Sequence, residues 1–218
     1  YSRSELYWIG HIYRYFSYTY DMSSKQVYKI IKPKELRSLF LAYHTFDTKQ
    51  AIERILEAKA DLNSVGGVIE AMVTHVPAGL GAPYFDSVES RLSHALFSVP
   101  AVKGVEFGDG FGISAMTGAE ANDTLHFEDG KVVADTNHNG GITGGITNGM
   151  PVTFRVAIKP TPSISREQKT VSLAEQCDTT LTIVGRHDPC IVQRAVPVIE
   201  AVTAWTMWDL LIEAKKWK

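Results

Sequence analysis

The sequence is poor in cysteine: Cys177 and Cys190 are the only two in 218 residues, too few for a disulfide framework and without the partner pairs of a zinc site. That scarcity points to a reducing compartment. The N-terminus has no basic flank, apolar core and small-residue cleavage site, so the expected location is cytoplasmic. Long apolar runs are also missing; even Val196 to Leu211 is broken by Glu200, Thr203, Thr206 and Asp209, short of the ~18 apolar residues of a spanning helix. Neither sign of charge is in excess. With 22 Lys+Arg against 24 Asp+Glu, a formal charge of -2 gives no electrostatic reason to expect a nucleic-acid or membrane partner. Internal repeats and low-complexity linkers are absent, as are Gly-x-Ser-x-Gly, HExxH and CxxC motifs, which removes the main support for hydrolase, zincin and thioredoxin-like readings. The chain opens on Tyr1 rather than Met, so a preceding segment is expected to have been removed or left out.

What is present is an ordinary globular composition, 44% hydrophobic and 21% charged, in a chain long enough to bury roughly 70% of its unfolded surface. The first twenty residues hold Tyr1, Tyr7, Trp8, Tyr13, Tyr15, Phe16, Tyr18 and Tyr20; with only Arg3 and Arg14 beside them, they read as buried strand rather than a base-stacking or membrane surface. From Thr48, apolar residues Ile52, Ile55, Leu56 and Leu62 recur at helical steps behind an Asp47/Gln50 capping box, and Gly66-Gly67 is the expected stop. Val68 to Val76 reads as a strand. A second capping box, Asp86/Glu89, opens a helix carrying Val88, Leu92, Ala95 and Leu96, followed by a strand from Val102 to Phe107. Residues 108–150 hold more than half of the seventeen glycines and read as functional loop. Val152, Phe154, Val156 and Ile158 then alternate with polar or small residues as a half-buried strand does, and Thr179 to Val184 is a further strand candidate. A helix from about Pro197 places Val198, Val202, Trp205, Trp208 and Ile212 on one stripe. These elements predict a single interleaved α+β domain over residues 1–218.

Three segments carry chemistry. Asn137-His-Asn-Gly-Gly-Ile-Thr-Gly-Gly-Ile-Thr-Asn-Gly149 brings backbone N–H groups within reach of an anion or a flat heterocycle, though a tight structural connection explains the glycines equally well. It is neither a Walker loop nor a dinucleotide fingerprint, because a strand follows it instead of a helix. Lys159-Pro-Thr-Pro-Ser-Ile164 combines a cation, two hydroxyls and two rigid prolines, a set suited to a phosphate monoester or to a stiff surface loop. In Gly185-Arg-His-Asp-Pro-Cys190, Arg186 offers a planar fork to an oxyanion while His187 and Asp188 can transfer protons. A metal held by His187, Asp188 and Cys190 fails on spacing, and His11, His44, His75, His94 and His126 stand in no constellation.

Taken in order, VPAGLG (76–81), FSVPAVKGVEFGDGF (97–111), GAEAND (118–123), NHNGGITGGITNGMP (137–151), KPTPSI (159–164) and GRHDPCIVQRAVPVIEA (185–201) resemble the chorismate synthase family, convincingly from about residue 63 to residue 212. The resemblance implies a β-α-β sandwich, here incomplete, and a homotetramer. It implies the 1,4-anti elimination of phosphate from 5-enolpyruvylshikimate-3-phosphate to give chorismate in the shikimate pathway, with reduced FMN and no net redox change. NADPH is the implied reductant, external or intrinsic. Carried over by position, the FMN contacts fall on Pro100, Ala101, Gly144, Lys159, Pro160, Thr161, Pro162, Ser163 and Arg186, with no metal. Asp188 resembles the acid near flavin N5; burial over the flavin would raise its pKa, and Arg186 would lower it. Neither a GESHG-like nor an Arg-Ser-Ser-Ala-Arg-like stretch occurs, and Ala119 replaces a common Ser. Those stretches carry the family's catalytic histidines and many substrate arginines, so the chain corresponds to about the C-terminal 60% of the family pattern. The alternative to an active lyase is a catalytically inactive FMN- or anion-binding fragment.

Overall fold

The structure, a computed structural model, describes residues 12–16, 48–185 and 187–216 of the chain. The expectations for Tyr1, Tyr7, Trp8, Tyr18 and Tyr20, for Asp47 and for Arg186 lie outside the described residues. The described residues fall into two compact units, one of 12–15, 68–157 and 195–216, the other of 16, 48–67, 158–185 and 187–194. The architecture is α+β.

The first unit is built on a four-stranded sheet of order β1-β2-β8-β3, where β1 is Ile12–Phe16, β2 Gly67–Val73, β3 Val102–Phe107 and β8 Val152–Ile158. The alternation predicted for β8 is strict: Val152, Phe154, Val156 and Ile158 are buried and the residues between them half-buried. Ile69, Ala71 and Val73 do the same on β2. Helix α2, Val88–Phe97, buries Val88, Leu92 and Leu96 at i, i+4, i+8, which keeps one stripe on the core. Its cap is Ser87 rather than the predicted Asp86, because the Ser87 hydroxyl accepts from Ser90 N at 3.1 Å.

Residues 108–150, expected as loop, contain more regular structure than glycine content indicated. A 3₁₀ turn at Gly110–Ala115 precedes two antiparallel hairpins, β4 Leu125–Glu128 with β5 Lys131–Ala134, and β6 Ile142–Thr143 with β7 Ile146–Thr147. Here many of the glycines mark the turns of short strands rather than the interior of an irregular loop.

In the second unit, helix α1 covers Thr48–Ala60 and buries Ala51, Ile55 and Ala58, while Leu56 and Leu62 are exposed. The helix ends at Ala60, and Leu62 just beyond it adopts φ 52°, several residues before the predicted Gly66-Gly67. A third hairpin pairs β9, Gln168–Ser172, which the sequence reading did not foresee, with β10, Cys177–Leu181, which covers the first half of the expected Thr179–Val184 strand and starts two residues earlier.

The C-terminal helix α3 runs from Val192 to Lys216, so Pro197 is inside it and not in its first turn. By length and composition Val192–Ala214 is apolar enough to cross a membrane, contrary to the sequence reading. Its buried stripe of Val196, Ile199, Thr203, Met207 and Leu210 is that of a core helix. The predicted stripe Val198, Trp205, Trp208 and Ile212 is the other, exposed one.

Candidate functional site

In the first unit the glycine segment is tied down from three directions. The Asp123 carboxylate accepts from Thr136 Oγ1 (2.8 Å), His138 N (2.7 Å), Asn139 N (3.0 Å) and Asn139 Nδ2 (2.8 Å). Burial pushes this carboxyl up, but those bonds together outweigh it and bring the pKa down to about 2. Asp109 meets His138 twice: its Oδ2 lies 2.5 Å from His138 Nδ1, and its N–H donates to His138 O at 2.9 Å. Asn137 accepts from Gly141 N and donates to Pro151 O. Gly108, at φ 55°, approaches so closely that a Cβ there would fall 2.0 Å from His138 O. The segments 107–111, 118–123 and 137–141, separated in sequence, thus form one hydrogen-bonded knot.

The far end of the glycine segment packs on the entrance to α2. Val88 N donates to Gly145 O at 3.0 Å, and a Cβ on Gly145 would fall 2.7 Å from Ser87 Cβ. Thr147 Oγ1 donates to Pro77 O and accepts from Leu80 N, which fastens the 77–81 loop to the same hairpin. Gly144 is the exception. It is exposed, with open space where a side chain would stand. Pro100 is exposed after α2, and Ala101 is held at φ 73°, a strained conformation for a residue with a Cβ that costs roughly 1–3 kcal/mol and concentrates at ligand sites.

The second unit holds the remaining predicted residues. Ser64 Oγ donates to Thr161 O at 2.6 Å, and Val65 N donates to Pro189 O at 2.8 Å, so one short stretch binds both the Lys159–Ser163 loop and the His187–Cys190 loop. Lys159 is exposed and has no ion-pair partner among the described residues. Thr161 Oγ1 is shielded from solvent yet has no hydrogen-bond partner among the described residues. A shielded hydroxyl and an unpaired ammonium on one proline-stiffened loop are the donors an oxyanion needs.

Asp188 is oriented through both oxygens, Oδ1 accepting from Cys190 N and Oδ2 facing Arg194 Nη1, each at 3.3 Å. His187 Nε2 lies 3.1 Å from Ile183 O, which assigns that nitrogen its proton. Burial, and after it the charge of Asp188, pushes the Cys190 thiol up, so this cysteine is an inert core residue rather than a nucleophile. Among the described residues no group of three His, Cys, Asp or Glu side chains is arranged to hold a metal.

The structure therefore brings Pro100, Ala101 and Gly144 into the first unit, and Lys159 to Ser163 with Asp188 into the second. Sequence reading missed Asp109, Asp123 and His138, which make the knot, and Ser64 and Arg194, which hold the second unit's two loops. Only the polar residues embedded in FGDGF and GAEAND signalled the knot, and their partners are 13 to 29 positions away.

A mixed α+β chain with a proline-stiffened Lys159–Ser163 loop and a buttressed glycine hairpin is the class these features define. The family model described as chorismate synthase matches residues 10–212, and the chain belongs to the chorismate synthase family. It is 46% identical over 167 residues to chorismate synthase of Thermococcus kodakarensis, covering 77% of this chain and 47% of that protein. With the Dehalococcoides mccartyi (strain BAV1) chorismate synthase it shares 48% identity over 167 residues, 77% of this chain and 46% of the other. A solved chorismate synthase crystal structure superposes with a TM-score of 0.62 at 31% identity, covering 77% of this chain and 43% of that one. The chain spans about half the length of the curated relatives it matches.

Proposed function

We propose that this chain is the C-terminal α+β domain of a chorismate synthase, a carbon–oxygen lyase that eliminates phosphate from the small-molecule substrate 5-enolpyruvylshikimate-3-phosphate to give chorismate. The observation that carries the reading is 46% identity to a chorismate synthase across 77% of the chain. The whole enzyme is a cytoplasmic homotetramer of aromatic amino acid biosynthesis that uses reduced FMN, with NADPH as the source of reducing power.

Features of each unit fit parts of that cofactor: in the second, Lys159 supplies a cation unpaired among the described residues and Thr161 a shielded hydroxyl, donors suited to the phosphate. In the first, Gly144 leaves open space and Ala101 has the strained backbone found at ligand contacts. Pro100, Pro160, Pro162, Ser163 and Arg186 are carried over from the family resemblance. When bound, reduced FMN supplies electron density to the elimination and is recovered unchanged. Lys159 and Arg186 bind and orient an anion. Pro160 and Pro162 hold the Thr161 and Ser163 hydroxyls in place at low entropic cost. Asp188, fixed by Cys190 N and Arg194, accepts and returns a proton at its carboxylate.

A chimera tests this reading: residues 63–212 replace the matching stretch of the Thermococcus kodakarensis enzyme, and phosphate release is assayed anaerobically with reduced FMN. Turnover within about tenfold of the parent is expected. A folded chimera that binds FMN but releases no phosphate would overturn the active reading in favour of an inert fragment. The 218-residue chain alone is expected to release none, because the stretches with the family's catalytic histidines are absent from it.

A further inference from the structure

The six residues between α1 and β2, 61–66, start from a closed helix end. Leu62 N donates to Lys59 O at 3.2 Å and Asn63 N to Ala58 O at 2.8 Å, the paired bonds of a Schellman motif with Leu62 in its left-handed position. The direction of the chain beyond α1 is thereby set. Asn63 Oδ1 accepts from Ser64 N at 2.9 Å, and Asp61 pairs with Arg166 at 2.6 Å.

From that base, neighbouring residues reach two different loops. Pro160 and Pro162 deprive the Lys159–Ser163 loop of two backbone donors, so it has little means of fixing itself. Ser64 does so from outside, its Oγ donating to Thr161 O at 2.6 Å. Gly66 lies flush against the same loop: a Cβ there would fall 2.3 Å from Ile158 O and 3.0 Å from Pro160 Cδ. Val65 turns to the other loop, its N–H donating to Pro189 O at 2.8 Å beside a parallel bridge to Cys190. The carbonyl of Pro189 and the N–H of Cys190 belong to one planar peptide group. Fixing its oxygen fixes the N–H that donates to Asp188 Oδ1 at 3.3 Å.

We propose that Ser64-Val65 is a positioning clasp, in which Ser64 sets the Lys159–Ser163 loop for a phosphate monoester and Val65 sets the peptide that orients Asp188. Two consecutive residues on one anchored helix end thus hold the anion-binding loop and the proton-transferring carboxylate in a single register. Ser64 is a positioning residue, since its hydroxyl proton is given to Thr161 O. The purpose of the clasp rests on the flavin reading above; its existence rests on hydrogen bonds within the second unit.

The test is native-state amide hydrogen exchange, read by NMR on the 218-residue chain, together with FMN fluorescence titration. In Ser64→Ala, exchange at the hydrogen-bonded amides of Val65, Ile164 and Cys190 is expected to rise together, about fivefold or more, while the α2 amides keep the parent rate. FMN affinity is expected to fall about fivefold, as loss of one neutral hydrogen bond does. Ser64→Thr, which keeps the hydroxyl, is expected to restore both readouts. Arg54→Gln, which breaks an exposed ion pair on α1, is expected to change neither. Unchanged exchange at Ile164 and Cys190 in Ser64→Ala would overturn the proposal, as would faster exchange throughout the chain, which marks ordinary destabilisation. So would failure of Ser64→Thr to restore protection, or equal FMN affinity of Ser64→Ala and a parent that binds. A parent that binds no FMN would overturn the flavin reading instead, and the exchange rates would still decide whether the clasp exists.

Discussion

The glycine segment of the first unit and the Lys159–Ser163 loop of the second have the same sequence-level attraction for an anion, yet their hydrogen bonding is opposite in kind. At the start of the glycine segment, Asp123 and Asn137 pair with its backbone, and Asp109 pairs with His138. In the Lys159–Ser163 loop, the backbone oxygen of Thr161 is bonded while its hydroxyl is left without a partner. Much of the glycine-rich composition therefore answers a folding requirement, that of bringing three chain segments into contact. Unspent donor capacity marks ligand chemistry better than glycine content does.

That contrast separates two kinds of substitution. The largest effect is expected in catalysis: within the chimera, Asp188→Asn keeps shape and hydrogen bonding but not proton exchange, and should lower single-turnover rate about 10²-fold or more while FMN affinity changes little. Next comes the knot. Asp123→Ala removes the acceptor of four donors and should cost about 1–3 kcal/mol in urea denaturation, because part-buried N–H groups lose a charged partner. A smaller effect follows from pH. The folded pKa of Asp123 is depressed to about 2, so its contribution is fully present above the unfolded carboxylate value and is lost as pH falls from about 4 towards 2. Thermal melts should show a loss of about 1–2 kcal/mol over that window, absent in Asp123→Asn, after allowing for solvent screening at this half-exposed site. Smallest in stability is Lys159→Ala, expected within about 0.5 kcal/mol of the parent, since the exposed ammonium supports nothing in the fold.

Period-two and helical patterns were legible wherever one face is buried: β8 and α2 carry their burial in their sequence, and β3 follows the predicted bounds. The errors occurred where a choice between two equivalent signals depends on tertiary contacts. On α3, two apolar stripes compete, and the one with the tryptophans is exposed. At α2, Asp86 and Ser87 are both good caps, and Ser87 is the one packed against Gly145. The hairpin of β9 and β10 has no buried face to impose a pattern, since almost all its residues are exposed. For the candidate site, chemistry and motif singled out Lys159, Thr161 and Asp188, whereas the Asp109–His138 and Asp188–Arg194 pairs form only on folding.

The central claim, that the Lys159–Ser163 loop keeps its donors for a phosphorylated flavin while the glycine knot spends its own on the fold, is tested most directly by titrating FMN fluorescence with the parent chain and with Lys159→Ala. The account predicts saturable quenching by the parent and an affinity at least tenfold weaker for the variant, at unchanged stability, as removal of one charged hydrogen bond of ~1.5–3 kcal/mol requires. Equal affinity in the two proteins, or loss of binding only in step with loss of the fold, would contradict it.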